Sequence, residues 1–151
     1  MSLEAMKKSI AEAQQYYYHL VLLAGGTRGE RTQYFKLLAQ KEAYPYINLS
    51  LELSEKLLEY ASKQRQYQAF THTREILAGA EEPIVIVDKI ELLFSPELNL
   101  KPVDLLMDIS KYKTLVVSWP GAYKEGILSY GEPGHLEYTK ADASEIIILK
   151  L

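Results

Sequence analysis

The chain has 151 residues, of which 48% are hydrophobic and 25% charged, and this length and composition fit one compact domain with a substantial core. With 17 basic and 20 acidic residues the net charge is -3, which excludes binding driven by bulk charge, so DNA could be contacted only indirectly or through a local patch. The absence of cysteine excludes disulfides, and three dispersed histidines argue against a zinc centre.

The first part of the chain alternates between helical and strand patterns. LEAMKKSIAEAQQYYY has apolar residues at helical intervals and predicts an amphipathic helix that runs up to His19. LVLLA, residues 20–24, predicts an uncharged strand, and a glycine loop separates it from a short helix predicted from Thr32 to Gln40. YPYINLS, residues 44–50, predicts a second strand.

The middle of the chain contains helices and one very hydrophobic strand. LELSEKLLEYASKQRQYQAF predicts one long helix over residues 51–70, capped by Ser50 or Ser54, and a further helix is predicted from Thr73 to Ala78. PIVIVD, residues 83–88, has continuous β-branched residues, which indicate a strand covered on both faces in a parallel sheet.

The last part of the chain predicts two more core strands and a hairpin. KPVDLLMDISKY predicts a helix with proline in its first turn, and TLVVSW and EIIILKL predict the fourth and fifth core strands. Between these strands, GILSY and LEYT flank GEPGH, in which Pro133 and Gly134 suit the centre of a type II turn. We therefore expect a small C-terminal hairpin.

Strands that alternate with helices predict a single α/β domain over residues 1–151 with a mostly parallel sheet. The more specific prediction is a three-layer P-loop NTPase-like fold whose five core strands, counted along the chain, have the order 5-1-4-3-2. In that order TLVVS lies between the strand that ends at Asp88 and the strand that ends at Ala24.

The glycine loop is the first candidate site, because GGTRGERT partly matches the phosphate-loop pattern G-x-x-x-x-G-K-[ST]. Backbone N–H groups of residues 26–31 and the positive end of the following helix would hold the phosphates of ATP or another nucleoside triphosphate. Arg31 would replace the lysine, and the hydroxyl of Thr32 would bind magnesium. The predicted nucleotide-binding residues are Gly25, Gly26, Thr27, Arg28, Gly29, Glu30, Arg31 and Thr32.

Glu30 is the main departure from this pattern, which has glycine at that position so that backbone can approach the phosphates. A carboxylate directed inward would repel phosphate, so Glu30 must point away, and pairing with Arg28 is one way to achieve this. The alternative is a glycine-rich turn that only joins a strand to a helix.

The strand IVIVD is typical of a Walker B strand, whose aspartate, here Asp88, would share a magnesium ion with Thr32. Lys89 stands where ATPases that insert a strand between these two motifs usually have a glutamate that activates water. Glu91 is the nearest carboxylate and is a candidate catalytic residue, or else an ordinary surface residue. Ser118, at the end of the fourth core strand, is a candidate sensor of the γ-phosphate, or else an ordinary serine at a strand end.

Three further segments carry a resemblance to a known family: D-x-I-E-x-L-F at residues 88–94, W-P-G at 119–121 and P-G-H-x-E-Y at 133–138. Together with the glycine loop they resemble BrxF, the small P-loop proteins of type III BREX bacteriophage-exclusion systems, over nearly the whole chain. The resemblance implies a prokaryotic cytoplasmic protein that is encoded with a DNA methyltransferase and larger ATPases. It places the P-loop on Gly25, Arg31 and Thr32 and the Walker B aspartate on Asp88.

Three function classes follow from these patterns and from the resemblance. The first is a nucleotide-binding component of an antiphage complex with weak or partner-dependent ATP hydrolysis, the second is a non-hydrolysing scaffold that acts through protein or DNA partners, and the third is a small-molecule kinase, which the absence of an arginine-rich lid disfavours. The resemblance implies other BREX proteins as partners. A second copy of the chain is also expected, because the 12 tyrosines exceed what a small core needs and tyrosine is enriched at interfaces. Arg65 and Arg74 are candidates for an arginine that a neighbouring subunit supplies to the nucleotide, or else they are solvated helix residues.

Trp119 and His135 each have two interpretations, core packing or ligand contact for the tryptophan and turn residue or partner surface for the histidine. No apolar run has the length of a membrane span, and no hydrophobic signal segment is present at the N-terminus. We therefore expect a cytoplasmic protein without membrane association.

Overall fold

The computed structural model describes residues 2–151 and contains two sheets with helices around the larger one. The α-helices are α1 (Leu3–Ala13), α2 (Arg28–Glu42), α3 (Leu49–Leu57), α4 (Arg65–Ala78) and α5 (Pro102–Ile109). The strands are β1 (Leu20–Ala24), β2 (Tyr46–Asn48), β3 (Ile84–Asp88), β4 (Thr114–Ser118), β5 (Ala122–Lys124), β6 (Ile127–Tyr130), β7 (Thr139–Asp142) and β8 (Ile147–Lys150). Short 3-10 helices span Ser62–Gln64, Glu91–Phe94 and Pro96–Leu98.

The larger sheet has five strands, and every neighbouring pair in it is parallel, as the α/β prediction requires. Its order is β2-β3-β4-β1-β8, so β4 lies between β1 and β3, the position predicted for TLVVS. The edge strand beside β1 is the eighth strand of the chain and not the fifth, because three strands of a second sheet precede it. The numbering therefore differs from the predicted 5-1-4-3-2.

Both faces of this sheet are covered by helices, and alternate side chains of β1 pack against the helices of opposite faces. Leu20 and Leu22 belong to one apolar cluster, which includes residues of α3, α4 and α5, whereas Val21 and Leu23 belong to a second cluster with residues of α1 and α2. All five residues of β1 are buried, which agrees with an uninterrupted apolar strand in a parallel sheet. The result is a three-layer arrangement of helices, sheet and helices.

The helix boundaries differ from the predictions at several places. α1 ends at Ala13 and not near His19, because the backbone N–H of His19 already donates to the Ser110 carbonyl at 3.0 Å as the chain approaches the sheet. α2 begins at Arg28, four positions before the predicted Thr32, because Thr27 caps it. The predicted starting point treated the first turn of this helix as loop.

The single long helix predicted over residues 51–70 is wrong, since this segment contains α3, a 3-10 turn and the start of α4. α3 is capped by Asn48, whose side chain accepts from the Leu51 N–H at 3.1 Å, and not by Ser50 or Ser54. The guanidinium of Arg65 then donates to backbone carbonyls at the end of α3, which fixes the break between the two helices.

The second sheet contains a hairpin of β6 and β7 and a third antiparallel strand, β5, which was not predicted. The second strand of the hairpin is Thr139–Asp142, so only Thr139 of the predicted segment LEYT belongs to it. In the GEPGH turn Gly134 has a φ of 92° and the His135 N–H donates to the Glu132 carbonyl at 3.0 Å, as expected of a type II turn. His135 is therefore a turn residue. Trp119 is fully buried and packs edge-on against Phe94 at 5.6 Å between ring centroids, so its role here is core packing.

Within residues 2–151, none of the helices combines the length and the apolar character that crossing a bilayer requires.

Candidate functional site

The connection between β1 and α2 is a short turn of Gly25, Gly26 and Thr27. Gly25 and Gly26 have φ angles of 85° and 61°, values that favour glycine. A side chain at residue 26 would also meet the last residue of the chain, because a Cβ atom there would lie 2.9 Å from Cδ2 of Leu151. The backbone conformation and the contact with Leu151 therefore explain why glycine is present at these positions. Most of the backbone that was predicted to bind phosphate belongs to the first turn of α2.

Glu30 does not pair with Arg28, and it does not lie in a loop. Its carboxylate accepts a hydrogen bond from the Thr27 backbone N–H at 2.8 Å, while its own N–H donates to the Thr27 hydroxyl at 3.1 Å. These reciprocal bonds form a capping box at the start of α2. The bond from the Thr27 backbone lowers the pKa of Glu30, and the carboxylate is exposed. Its negative charge thus occupies the end of the helix where a phosphate would bind.

Arg31 is buried behind the glycine turn, with 6% of its surface exposed. Its guanidinium donates to the Ser118 hydroxyl at 2.8 Å and to the carbonyls of Gly25 and Gly26 at 3.0 and 3.3 Å. Burial lowers the pKa of Arg31, and the nearby charge of Asp88 acts in the opposite direction. An arginine remains protonated at neutral pH even after such a shift, so a cation lies at the predicted position.

Thr32 and Asp88 lie together as predicted, although they are far apart in the sequence. The Thr32 hydroxyl donates to Oδ2 of Asp88 at 2.6 Å, and the Tyr46 hydroxyl donates to the same oxygen at 2.5 Å. Asp88 is 1% exposed, so these hydroxyls replace water around a buried carboxylate. Burial and the Asp88 contact raise the pKa of Tyr46. Tyr46 was not among the predicted site residues, although the predicted order places its strand beside the strand of Asp88.

Lys89 is a second cation at this site that the predictions treated only as a missing glutamate. Its ammonium lies 3.4 Å from the Thr32 hydroxyl oxygen, on which it acts as donor. Its φ of 56° is unusual for a residue with a side chain. The surrounding backbone fixes this conformation, because the Lys89 N–H donates to Oδ1 of Asp88 at 3.0 Å and its carbonyl accepts from the Ser50 N–H at 2.9 Å.

The candidate catalytic residues are engaged with protein groups. Glu91 forms an ion pair with Arg28 at 2.8 Å, and 29% of the Glu91 side chain is exposed. Ser118 is buried and its hydroxyl accepts from Arg31, so it contacts the site cation. The structure therefore brings both residues to the site, where Ser118 is a partner of Arg31 and Glu91 is the partner of Arg28.

The two arginines considered for a neighbouring subunit have partners in their own chain. Arg65 donates to the carbonyls of Leu57 and Tyr60 at 3.0 and 3.1 Å. Arg74 donates to Asp108 at 3.3 Å and lies over the ring of Phe70 at 5.8 Å. In this conformation both serve the packing of α4.

The donors around Thr32 and Asp88 do not fit a magnesium ion well. The Thr32 hydroxyl donates to Asp88 and accepts from the Lys89 ammonium, and Oδ2 of Asp88 already accepts from two hydroxyls. Magnesium prefers an octahedral set of oxygen ligands, whereas here a positive side chain lies at the hydroxyl it would use. Among the described residues, no group of three or more His, Asp or Glu side chains could hold a metal ion.

No protein-family model, curated protein or solved structure matches this chain. The resemblance to BrxF and the binding of a nucleotide therefore stay predictions, and the interpretation of the site depends on its own geometry.

Proposed function

We propose that the chain is the nucleotide-binding component of a BREX-type antiphage system and binds ATP or another nucleoside triphosphate at the turn between β1 and α2. The observation that carries this proposal is the 2.6 Å hydrogen bond from Thr32 to Asp88, next to the buried guanidinium of Arg31. It joins the two segments that the sequence patterns associate with phosphate and metal binding.

The position of the site in the fold supports the same proposal. The glycine turn follows β1, Asp88 ends β3 and Ser118 ends β4, so the site lies at the carboxyl ends of adjacent parallel strands. Ligands of open α/β sheets characteristically bind at this edge. The guanidinium of Arg31 supplies charge-assisted hydrogen bonds, which are stronger and shorter than neutral ones, and a phosphate oxygen would accept them in place of the Gly25 and Gly26 carbonyls.

Hydrolysis by the isolated chain is expected to be slow or absent. A water-activating carboxylate is needed near the terminal phosphate, but Lys89 occupies the residue after Asp88 and Glu91 is neutralised by Arg28. We infer that a larger partner protein, or a second copy of the chain, completes the catalytic groups if turnover occurs. The exposed tyrosines Tyr17, Tyr67 and Tyr112 offer contact area for such a partner.

The test is a titration of the purified protein with a fluorescent ATP analogue, in buffers with and without magnesium. Replacing Arg31→Ala should weaken binding by about 2 kcal/mol, roughly 30-fold, because one charge-assisted contact in a partly desolvated site is lost. Lys8→Ala, at an exposed lysine of α1, is the control for loss of a positive charge. Equal affinities of the Arg31 and Lys8 variants, or no binding by the unsubstituted protein, would reject the proposal.

A second candidate, a scaffold that binds no nucleotide, is favoured by the internal hydrogen bonds of the turn. Glu30 already caps the Thr27 N–H and Arg31 already bonds to protein oxygens, while Leu151 packs against the glycines. In this case the turn would only support the fold. A protein that is fully folded and does not respond to millimolar nucleotide in either buffer would establish this alternative.

A further inference from the structure

We propose that the ammonium of Lys89 takes the place of the divalent cation at this site, so that the chain binds the metal-free form of a nucleoside triphosphate. This inference rests on the proposed function and specifies its ligand. The ligand would be a polyphosphate anion without bound magnesium, whereas the sequence patterns predict that magnesium binds together with the nucleotide.

The first step is the position of the ammonium. The Thr32 hydroxyl follows directly after Arg31 in the chain and is the oxygen that a bound metal would need at such a site. The Lys89 ammonium lies 3.4 Å from that oxygen. Because the hydroxyl hydrogen is directed to Asp88 at 2.6 Å, the oxygen has lone pairs available for a cation, and the ammonium is the cation that uses them.

The second step is that the backbone holds Lys89 in place. A residue with a side chain adopts a φ of 56° at a cost, and this conformation persists when the surroundings determine it. Here the Lys89 N–H bonds to Asp88, while the Lys89 carbonyl bonds to both the N–H and the hydroxyl of Ser50. Ser50 is fixed in turn, since its hydroxyl oxygen accepts from the Leu92 N–H at 3.1 Å. The backbone from which the Lys89 side chain extends is therefore held in place by hydrogen bonds.

The third step is the balance of charge. Asp88 is a buried carboxylate, and Arg31 and Lys89 are the cations beside its hydrogen-bonded network. A magnesium ion bound by Thr32 would lie next to the Lys89 ammonium, and their repulsion disfavours its entry. An ammonium has several N–H donors, so Lys89 can hold Thr32 with one of them and offer others to phosphate oxygens. Arg31 and Lys89 together would offset part of the negative charge that magnesium normally screens.

The experiment compares the affinity for a fluorescent ATP analogue in excess EDTA and in millimolar magnesium. The unsubstituted protein should bind at least as tightly in EDTA as in magnesium. Lys89→Met keeps the length of the side chain and removes its charge, so its affinity in EDTA should fall by tenfold or more, with at least a threefold recovery in magnesium. Lys89→Arg should retain the binding in EDTA, and Lys8→Met, an exposed lysine of α1, is the matched control that should change nothing.

The outcomes separate the two proposals. Binding by the unsubstituted protein in magnesium only would overturn the role of Lys89 but leave nucleotide binding intact. No binding in either buffer would reject both. Unchanged affinity of Lys89→Met in EDTA would also overturn the inference. If that variant does not fold, the affinities of the unsubstituted and Lys89→Arg proteins in EDTA and in magnesium still test whether the protein binds the metal-free nucleotide. Electron paramagnetic resonance of manganese gives an independent measure, because ATP alone binds manganese and excess unsubstituted protein should release it by taking up the nucleotide without metal. Manganese that stays bound while the nucleotide is bound to the protein would overturn the inference.

Discussion

The hydrogen bond between Arg31 and Ser118 gives the sharpest test of the site as the structure shows it. Its atoms are 2.8 Å apart, and the two residues are 6% and 4% exposed, so water does not replace the bond when one partner is removed. We expect both Arg31→Met and Ser118→Ala to destabilise the folded protein. Met retains most of the apolar stem of the arginine, which limits the effect of lost packing.

The magnitude follows from the three contacts of the guanidinium. A hydrogen bond to a charged group contributes about 1.5 to 3 kcal/mol, and a buried polar atom left without a partner costs about 1 to 3 kcal/mol. The bonds to the Gly25 and Gly26 carbonyls contribute little to the free energy of unfolding, because these residues are exposed and water can replace Arg31 as the donor. Burial of the charge lowers the pKa of Arg31, which shows that burying the guanidinium has a cost, and Arg31→Met removes this cost. We therefore expect Arg31→Met to reduce the free energy of unfolding by about 2 kcal/mol.

The assay is urea denaturation of the two single variants and the double variant, followed by the fluorescence of the single tryptophan, Trp119, which is fully buried. If the bond exists, the double variant should be less destabilised than the sum of the single variants, with a coupling free energy of about 1 to 2 kcal/mol. Thr114→Ser, on the same strand as Ser118, controls for general disturbance of β4. A coupling below about 0.3 kcal/mol would refute the placement of the guanidinium on Ser118.

Two further predictions concern the capping box and the tyrosine at Asp88. Glu30→Gln keeps an oxygen for the Thr27 N–H and removes the charge, so it should tighten ATP binding with a smaller loss of stability than Glu30→Gly, which removes the cap as well. Glu30→Gly should also tighten binding and should lower the melting temperature. Weaker binding of either variant in the ATP titration would show that Glu30 contributes positively. The raised pKa of Tyr46 means that the folded state retains this proton more strongly than the unfolded state, so the stabilising contribution is present below about pH 10 and is lost as the pH rises above it. Urea denaturation at pH 8 and at about pH 10.5 should therefore show a fall in stability that is smaller in Tyr46→Phe, and equal falls would contradict the assignment; a residual fall is expected because the pKa values of Tyr34, Tyr44 and Tyr130 are also raised by burial.

The core of the fold was predictable because its signals are strong and local. The apolar segments LVLLA, IVIVD, TLVVS and EIIILKL form parallel strands, because short uninterrupted apolar runs between helices suit strands that are covered on both faces. The proximity of Thr32 and Asp88 was also predictable, because parallel strands present their carboxyl ends at one edge of the sheet. The third strand of the small sheet was missed, because AYK is too short to show an alternating pattern.

The environment of Glu30 was predictable in principle but was misinterpreted. Thr27-Arg28-Gly29-Glu30 has the spacing of a capping box, which marks the start of a helix. The same residues also fit the phosphate-loop pattern, in which they belong to a loop, and the predicted start of α2 was therefore too late. The position of Lys89 could not be deduced, because its positive φ depends on hydrogen bonds to Asp88 and to the distant Ser50.

The site as a whole has an internal substitute for each interaction that a nucleotide would make. The Glu30 carboxylate occupies the Thr27 N–H in place of a phosphate, the Ser118 hydroxyl and the turn carbonyls hold Arg31, and the Lys89 ammonium holds Thr32. Binding would therefore exchange hydrogen bonds and would not simply add them, so its net free energy is the small difference between the two sets. The exposed carboxylate is the substitute that can be displaced most easily, whereas Arg31 is buried. Removing the charge of residue 30 should consequently raise the affinity, whereas Arg31 contributes both to phosphate binding and to the stability of the fold.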